Sequence, residues 1–201
     1  MNVKTAKRLL REEIWNKLEK EHVARFPPIC FGHIPDFSGS EEAAEEVRFL
    51  KEWKEANVVF VNPDYAQHKI RENALLDGKT LVMASPRLKQ GYVVVLPKDV
   101  KNASLASTIK GAFRFGKTMD LHIIPKPDLI VEGSVAVDLN GNRLGKGGGY
   151  GDVEIQALKG AFGLIPVVTT VHELQIVEKV PVKEKDEKVS VIVTPNGAIY
   201  C

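Results

Sequence analysis

Short apolar runs alternate with helical patterns through the middle of the chain, and this alternation constrains the fold more than any other feature of the sequence. Residues 58–61 (VVFV) and 80–84 (TLVMA) read as strands, and the segment 65–77 between them has helical spacing that Gly78 ends. A strand, a helix and a strand in succession predict a right-handed parallel crossover. Runs such as VVVL at 93–96 are apolar on both faces, which is typical of strands covered on both sides. We therefore predict an α/β fold with a mostly parallel sheet and helices on both faces.

The same apolar spacing predicts the remaining elements. We expect one amphipathic helix from Val3 to Val23 and a second helix from about Ser38 to Ala56. Further strands are expected at 92–96, 121–124, 129–131, 135–137, 167–171 and 189–193, with short helices near 104–113 and 152–162. The charged run 183–188 is expected to be a solvated loop. A length of 201 residues without an internal repeat or a long linker predicts a single domain over residues 1–201.

Composition excludes several classes of protein. The 28 basic and 26 acidic residues give a net charge of +2, which is too small for a dedicated nucleic-acid binder, although a local basic cluster stays possible. Cys30 and Cys201 provide neither a disulfide framework nor a C-x-x-C metal pair, as expected in a reducing cytosol. No apolar run approaches the roughly 20 residues that span a bilayer. We expect a soluble, cytoplasmic protein without a membrane partner.

A glycine-rich loop between a predicted strand and a predicted helix is the most informative motif. Five of the seven residues from 145 to 151 are glycine, and glycine allows consecutive backbone N–H groups to converge on an anion. The start of the following helix adds a positive dipole end, and Arg143 and Lys146 add charge, so a phosphate group is the natural ligand. The spacing matches neither a Walker A loop nor a Rossmann fingerprint. A flexible connector without a ligand is the alternative.

Other candidate residues have both a structural and a chemical interpretation. Asp152, at the end of the loop, suits a helix N-cap or a magnesium ligand beside bound phosphates, and the two roles are compatible. Lys7, Arg8 and Arg11 share one side of the first helix, and by themselves they indicate a solvated face. The sequence contains no pair of histidines at metal-binding spacing and no G-x-S-x-G motif. Hydrolases with a covalent intermediate are therefore disfavoured.

Several segments together are similar to one enzyme family. Residues 143–152 (RLGKGGGYGD) resemble the R-L-G-x-G-x-G-Y-Y-D signature of the 5-formyltetrahydrofolate cyclo-ligases, also called methenyltetrahydrofolate synthetases. Residues 7–11 (KRLLR) look like the K-x-x-L-R motif of that family. Segments 34–39, 42–44, 53–56, 62–64 and 84–88 look like the branch of methenyltetrahydrofolate synthetase domain-containing proteins. The resemblance covers nearly the whole chain.

The resemblance implies a reaction and a set of site residues. Members of this family use ATP and magnesium to phosphorylate the formyl oxygen of 5-formyltetrahydrofolate. A neighbouring nitrogen then closes the ring, which gives 5,10-methenyltetrahydrofolate, ADP and phosphate. By position, Lys7 and Arg11 are expected near ATP, Asp152 at the magnesium ion and Asp64 at the folate or pterin substrate. The loop implied to hold the phosphates comprises Arg143, Gly145, Lys146, Gly147, Gly148, Gly149, Tyr150 and Asp152, of which Arg143 and Lys146 are the catalytic candidates.

Three positions depart from the pattern of the family. Gly151 replaces the second tyrosine of the signature, Ser190 stands where relatives have an aspartate that assists the metal, and Asp64 stands near the position of a substrate-binding glutamate. Serine is a poorer magnesium ligand than aspartate because it carries no charge. One alternative hypothesis is therefore a non-catalytic member that binds a nucleotide or pterin or associates with RNA. Another is a different ATP-dependent ligase on the same scaffold.

Overall fold

A sheet of eight strands, flanked by helices, forms the centre of the protein in a computed structural model that describes residues 2–201 apart from the side chain of Arg87. The strands are β1 Val58–Val61, β2 Thr80–Ala84, β3 Tyr92–Val95, β4 Lys117–Met119, β5 Leu129–Val131, β6 Ala136–Val137, β7 Arg143–Leu144, β8 Val167–Thr170, β9 Val191–Thr194 and β10 Gly197–Tyr200. The helices are α1 Val3–Lys20, α2 Ser40–Phe49, α3 Lys51–Glu55, α4 His68–Leu76, α5 Ala103–Ala106, α6 Ile109–Phe115 and α7 Tyr150–Phe162. Short 3₁₀ helices lie at Tyr65–Gln67, Pro86–Leu88, Pro97–Asp99 and Glu173–Gln175.

The order of the strands in the large sheet is β10-β9-β8-β5-β1-β2-β3-β4. The five central strands, from β9 to β2, run parallel to one another. Antiparallel pairing is confined to the two edges, where β3 and β4 extend one side and β10 the other. This confirms the predicted α/β fold with a mostly parallel sheet.

Helices cover both faces of this sheet because side chains along each strand alternate between them. Val59 and Val61 of β1 face a core formed with α2, α3 and α4, in which Trp53 is almost fully buried. Phe60 faces the opposite core, where α7 contributes Ile155 and Leu158. Burial on both faces explains why the central strands are continuous apolar runs rather than alternating ones.

The first helix packs away from the main sheet, against the small hairpin of β6 and β7. Its apolar stripe of Ile14, Trp15 and Leu18 is buried in a third core with Val135 and Leu144. Asn2 caps its N-terminus by accepting a hydrogen bond from Thr5 N at 2.9 Å. Among residues 2–201, no helix combines the length and the apolar character that crossing a bilayer requires.

Three predicted elements differ in the structure. The strand expected at 121–124 is wrong: this segment turns so that Ile123 and Ile124 donate to Asp120 O, and the edge strand is β4 instead. The second predicted helix is interrupted at Leu50, whose extended backbone (φ −60°, ψ 143°) separates α2 from α3. The strand expected at 135–137 is shorter and pairs with β7 outside the large sheet. Apolar composition does not distinguish a turn from a strand, which explains the first error: within this turn Ile124 is buried, whereas Ile123 is 68% exposed.

Candidate functional site

The order of the strands creates a crevice between β1 and β5. From β1 the chain runs to β2 on one side, and it later returns to β5 on the other side. Parallel α/β sheets bind ligands at such a switch point, beyond the carboxyl ends of the strands. Asn62 directly follows β1 and Glu132 directly follows β5, and both line a cavity of about 1100 Å³ at this edge.

The cavity brings together the residues that the resemblance implies at the ATP, magnesium and substrate sites. Its lining includes Lys7, Arg11, Asp64, Arg143, Gly145, Lys146, Gly147, Gly148, Gly149, Tyr150 and Asp152. The residues come from α1, the turn after β1, and the segment that runs from β7 through the glycine loop into the first turn of α7. Convergence of three segments that are distant in sequence identifies this cavity as the candidate functional site.

The glycine loop joins the small hairpin to α7. Gly147 (φ +116°) and Gly149 (φ +75°) have positive φ angles that other residues rarely adopt, so the loop depends on glycine at these points. Gly149 is the N-cap of α7, which begins at Tyr150. Asp152 therefore lies within the first turn, and its predicted role as the N-cap residue is wrong. The positive end of the helix still faces the loop.

The basic face of α1 docks onto this loop and is not simply solvated. Arg11 donates from Nε to Gly145 O at 2.7 Å, and its guanidinium lies 3.7 Å from the Cβ position of Gly147. Lys7 Nζ forms an ion pair with Asp186 at 2.5 Å, with both side chains mostly buried. Arg8 pairs within the helix with Glu12 and is 59% exposed. Burial lowers the pKa of Arg11, which nevertheless remains a cation at neutral pH.

Arg143 connects the loop to the end of β5. Its Nη1 donates to Gly133 O and its Nη2 to Asp152 Oδ1, both at 2.9 Å. The side chain is 2% exposed, so Arg143 is a fixed cation rather than a mobile one. A buried guanidinium with two anchoring bonds holds its partners in place, and here it holds the carboxylate of Asp152 against the loop.

A chain of hydrogen bonds crosses the cavity from the loop to the sheet. Lys146 Nζ pairs with Asp64 Oδ1 at 2.5 Å, and Asp64 Oδ2 accepts from Asn62 Nδ2 at 3.0 Å. Asn62 Nδ2 also donates to Glu132 Oε1 at 2.8 Å. The buried guanidinium of Arg71 supports this chain, because its Nη1 donates to the carbonyl oxygens of Asn62 and Asp64. Asp64 is therefore held in the cavity by hydrogen bonds.

Two buried glutamates in the site were missed by sequence reasoning. Glu132 is 3% exposed and Glu154, in the first turns of α7, is 5% exposed. Burial raises the pKa of both carboxyl groups, and their mutual repulsion raises the pKa of Glu154 further. The position of Glu132 directly after a predicted buried strand was the signal that could have identified it. Glu154 carried no comparable signal, because acids are common in the first turn of a helix.

The structure explains one departure from the family signature. A Cβ built at Gly151 would lie 2.8 Å from both Glu132 Oε1 and Arg143 Nη2. A tyrosine at this position is incompatible with that carboxylate and guanidinium in their present positions. The position of Glu132 therefore requires a small residue at position 151.

A second departure has a different explanation. Ser190 Oγ bonds the backbone of Val167, accepting from its N–H at 2.9 Å and donating to its oxygen at 3.0 Å, at the start of β8 and outside the cavity lining. Ser190 is thus no substitute for a metal-binding aspartate. Asp186, from the run expected to be a solvated loop, lines the cavity instead. Contact with Lys7 of α1 holds it there, which the local sequence could not predict.

Comparison with known proteins identifies the family of the chain. The sequence model of the 5-formyltetrahydrofolate cyclo-ligase family matches residues 3–195. The chain belongs to the 5-formyltetrahydrofolate cyclo-ligase family. This confirms the resemblance and assigns the chain to a family of ligases.

The curated relatives of this family member are named methenyltetrahydrofolate synthase domain-containing protein. The protein of Bos taurus is 35% identical over 206 residues, which cover 96% of this chain and 53% of the relative. The protein of Homo sapiens is 34% identical over 210 residues, covering 98% of this chain and 54% of the relative. The chain thus spans about half the length of the curated relatives it matches.

Two solved structures share the fold. The NMR structure of Aquifex aeolicus 5,10-methenyltetrahydrofolate synthetase has a TM-score of 0.61 and 21% identity, covering 96% of this chain and 92% of that one. The crystal structure of eIF2B beta from Chaetomium thermophilum has a TM-score of 0.51 and 19% identity, covering 80% and 52%. A fold of this kind occurs with unrelated functions, so the fold alone does not determine the function of this chain.

Proposed function

We propose that this chain is an ATP- and magnesium-dependent cyclo-ligase that converts 5-formyltetrahydrofolate, or a related reduced pterin, to 5,10-methenyltetrahydrofolate with release of ADP and phosphate. The family supports the class of reaction. The observation that carries the proposal is the convergence of the basic face of α1, the glycine loop and Asp64 on one cavity of about 1100 Å³. Pockets for one small ligand usually measure about 300–1,000 Å³, so a nucleotide and a second ligand have room here.

The loop and its neighbouring cations would bind the phosphates of ATP. Glycine amides and the N-terminus of α7 provide fixed N–H donors, which suit phosphate oxygens. Arg11 lies against Gly147, and Lys146 extends from the loop with its side chain 38% exposed. Lys146 would separate from Asp64 and contact the transferred phosphoryl group, so that its positive charge stabilises the negative charge there. Positioning and charge neutralisation of this kind account for most of the catalysis of phosphoryl transfer.

Asp152 fits a magnesium ligand. The two hydrogen bonds that it accepts, from Arg143 Nη2 and from the backbone N–H of Glu187, both end on Oδ1, so Oδ2 faces no competing donor among residues 2–201. The same residues contain no group of three or more His, Cys, Asp or Glu side chains arranged to hold a metal. A single carboxylate with phosphate oxygens is a common arrangement for magnesium, which when bound neutralises charge on those oxygens.

Asp64 would act at the substrate end of the cavity. The reaction needs no covalent protein intermediate, because the attacking nitrogen and the formyl carbon belong to the same molecule. The protein has to hold them close together while the phosphorylated oxygen departs. Asp64 lies between Lys146 and Asn62, at the junction of the loop and the end of β1, and release from Lys146 would free one carboxylate oxygen for the formylated end of the substrate.

A direct test mixes the purified protein with 5-formyltetrahydrofolate, ATP and magnesium and follows the ultraviolet absorbance of methenyltetrahydrofolate. We expect a product that requires ATP. Lys146→Ala should lower ATP affinity about 10-fold or more, because a cation on a phosphate is a charge-assisted contact. Lys126→Ala changes an exposed lysine outside the cavity and is the matched control.

Two results would contradict the proposal. The absence of ATP-dependent product at enzyme concentrations near that of the substrate would refute the catalytic function, and ATP binding without turnover would favour a binding protein. Equal ATP affinity in Lys146→Ala and Lys126→Ala would show that Lys146 does not contribute to nucleotide binding.

A further inference from the structure

The floor of the cavity contains hydrogen-bond acceptors that the protein leaves unused. Asn62 Oδ1 and Glu132 Oε2 are buried and have no hydrogen-bond partner among the described residues. Both side chains are at most 3% exposed, and both line the cavity. An unpaired buried acceptor costs about 1–3 kcal/mol, so two neighbouring ones indicate that something outside the protein provides donors.

The hydrogen bonds around Asn62 determine which of its atoms is the free acceptor. The group that contacts Asp64 Oδ2 and Glu132 Oε1 must be the amide nitrogen, because both partners are carboxylate oxygens. Its two hydrogens are thereby used, and Oδ1 is left without a donor. Since Asn62 and Glu132 are bonded directly to each other at 2.8 Å, the two free acceptors belong to one compact unit.

Gly151 and Glu154 lie beside this unit. A Cβ at position 151 would lie 2.8 Å from Glu132 Oε1, so a residue larger than glycine would press on the carboxylate that Asn62 bonds. Burial and the nearby Glu132 raise the pKa of Glu154. Lys7 and Arg11 line the cavity from α1, and Lys146 reaches Asp64 beside Asn62. The cavity therefore combines cations that suit phosphate groups with two unpaired acceptors that suit N–H donors.

We propose that Asn62 and Glu132 bind the donor edge of the ligand ring, where a ring N–H and a neighbouring amino group present two N–H donors side by side. This inference rests on the proposed function and makes it more specific, since a 2-amino-4-oxo pyrimidine ring, as in a pterin, has such an edge. A planar pair of N–H donors matches a carboxylate and an adjacent amide oxygen. Glu132 is accordingly a specificity-determining residue that binds the substrate ring, while Asp64 lies toward its formylated end.

The test compares two ring compounds that lack the formyl and glutamyl parts of the substrate. Pterin has an amino group at the ring carbon where lumazine has a carbonyl oxygen, and that oxygen would face the carboxylate of Glu132. We expect the wild-type protein to bind pterin about 10- to 100-fold more tightly than lumazine in a fluorescence titration. This ratio needs no variant, so it stays informative if a substitution affects folding.

The substitution Glu132→Gln sharpens the comparison. Because Asn62 Nδ2 requires an acceptor at the Oε1 position, the new amide would present its NH₂ group at the position of Oε2. We expect pterin and lumazine affinities to become equal within about threefold, while ATP affinity stays as in the wild type. Glu42→Gln, at an exposed glutamate of α2 outside the cavity, should keep the wild-type ratio.

The outcomes separate this inference from the proposed function. Formation of methenyltetrahydrofolate with equal binding of pterin and lumazine would overturn the inference alone. A pterin preference that Glu132→Gln abolishes would support the inference even if no methenyl product forms. Adenosine also carries an amino group and could occupy the same position. The inference would be overturned if adenosine displaced pterin at similar concentrations and Glu132→Gln abolished this displacement, because Glu132 would then bind the nucleotide.

Discussion

Gly151→Ala tests the packing of the cavity floor most directly. Residue 151 lies in the first turn of α7, where alanine is ordinarily preferred to glycine by about 0.5–1 kcal/mol. Here the added Cβ would lie 2.8 Å from Glu132 Oε1 and from Arg143 Nη2. Both neighbours are buried, so relieving the contact requires the floor to move, and overpacking of this kind costs about 1–3 kcal/mol.

Gly160→Ala is the matched control, because this glycine lies in the same helix and a Cβ there would meet nothing within 4 Å. We expect Gly160→Ala to stabilise the protein by about 0.5–1 kcal/mol. Gly151→Ala should be less stable than Gly160→Ala by about 1–3 kcal/mol, measured from the free energies of unfolding in urea. A difference below about 0.5 kcal/mol would refute the close packing described here.

Two further predictions concern charge in the site. Burial and the nearby Glu132 raise the pKa of Glu154 above its ordinary value of 4.5, so the folded state holds a proton that the unfolded chain releases, and stability should fall as pH rises above that value. The free energy of unfolding of Glu154→Gln in urea, relative to that of the wild type, should therefore increase from about pH 6 to about pH 8. A difference that stays constant over this range would contradict the raised pKa of Glu154. Asp152→Asn should raise the magnesium concentration needed for half-maximal activity about 10-fold or more, because an uncharged amide is a weaker ligand. Ser190→Ala, which removes two hydrogen bonds to the backbone of Val167 outside the cavity, should leave that concentration unchanged. Equal effects of the two substitutions would argue against Asp152 as the ligand.

Sequence reasoning predicted the fold well where the signal was local. The runs 58–61 and 80–84 are almost entirely apolar, as strands of a sheet covered on both sides are, and the structure contains both. The failure at 121–124 shows the limit of this signal. A segment of mostly apolar residues can form a turn as well as a strand, and only Ile124 of this segment is buried. Pairing with β3 selected the preceding segment as the strand instead.

The candidate site was predicted in part for the same reason. The glycine loop is visible because its unusual backbone requires an unusual composition, and Gly147 and Gly149 do adopt positive φ angles. Lys7 and Arg11, by contrast, are indistinguishable by spacing from a solvated helix face, and the family resemblance was needed to select them. Asp186 stayed hidden within a charged run, because its place in the cavity depends on an ion pair with a residue 179 positions away.

By itself, the sequence determined the succession of strands and helices, the glycine loop and the family, because these depend on residues close together along the chain. The tertiary structure decided that Arg143 is a buried anchor for Asp152, and that Asn62 and Glu132 meet at the floor of the cavity. These roles arise where β1 and β5 become neighbours although 67 residues separate Val61 from Leu129. The pairing of distant strands therefore brings these buried polar groups together, and local sequence patterns do not show which strands become neighbours.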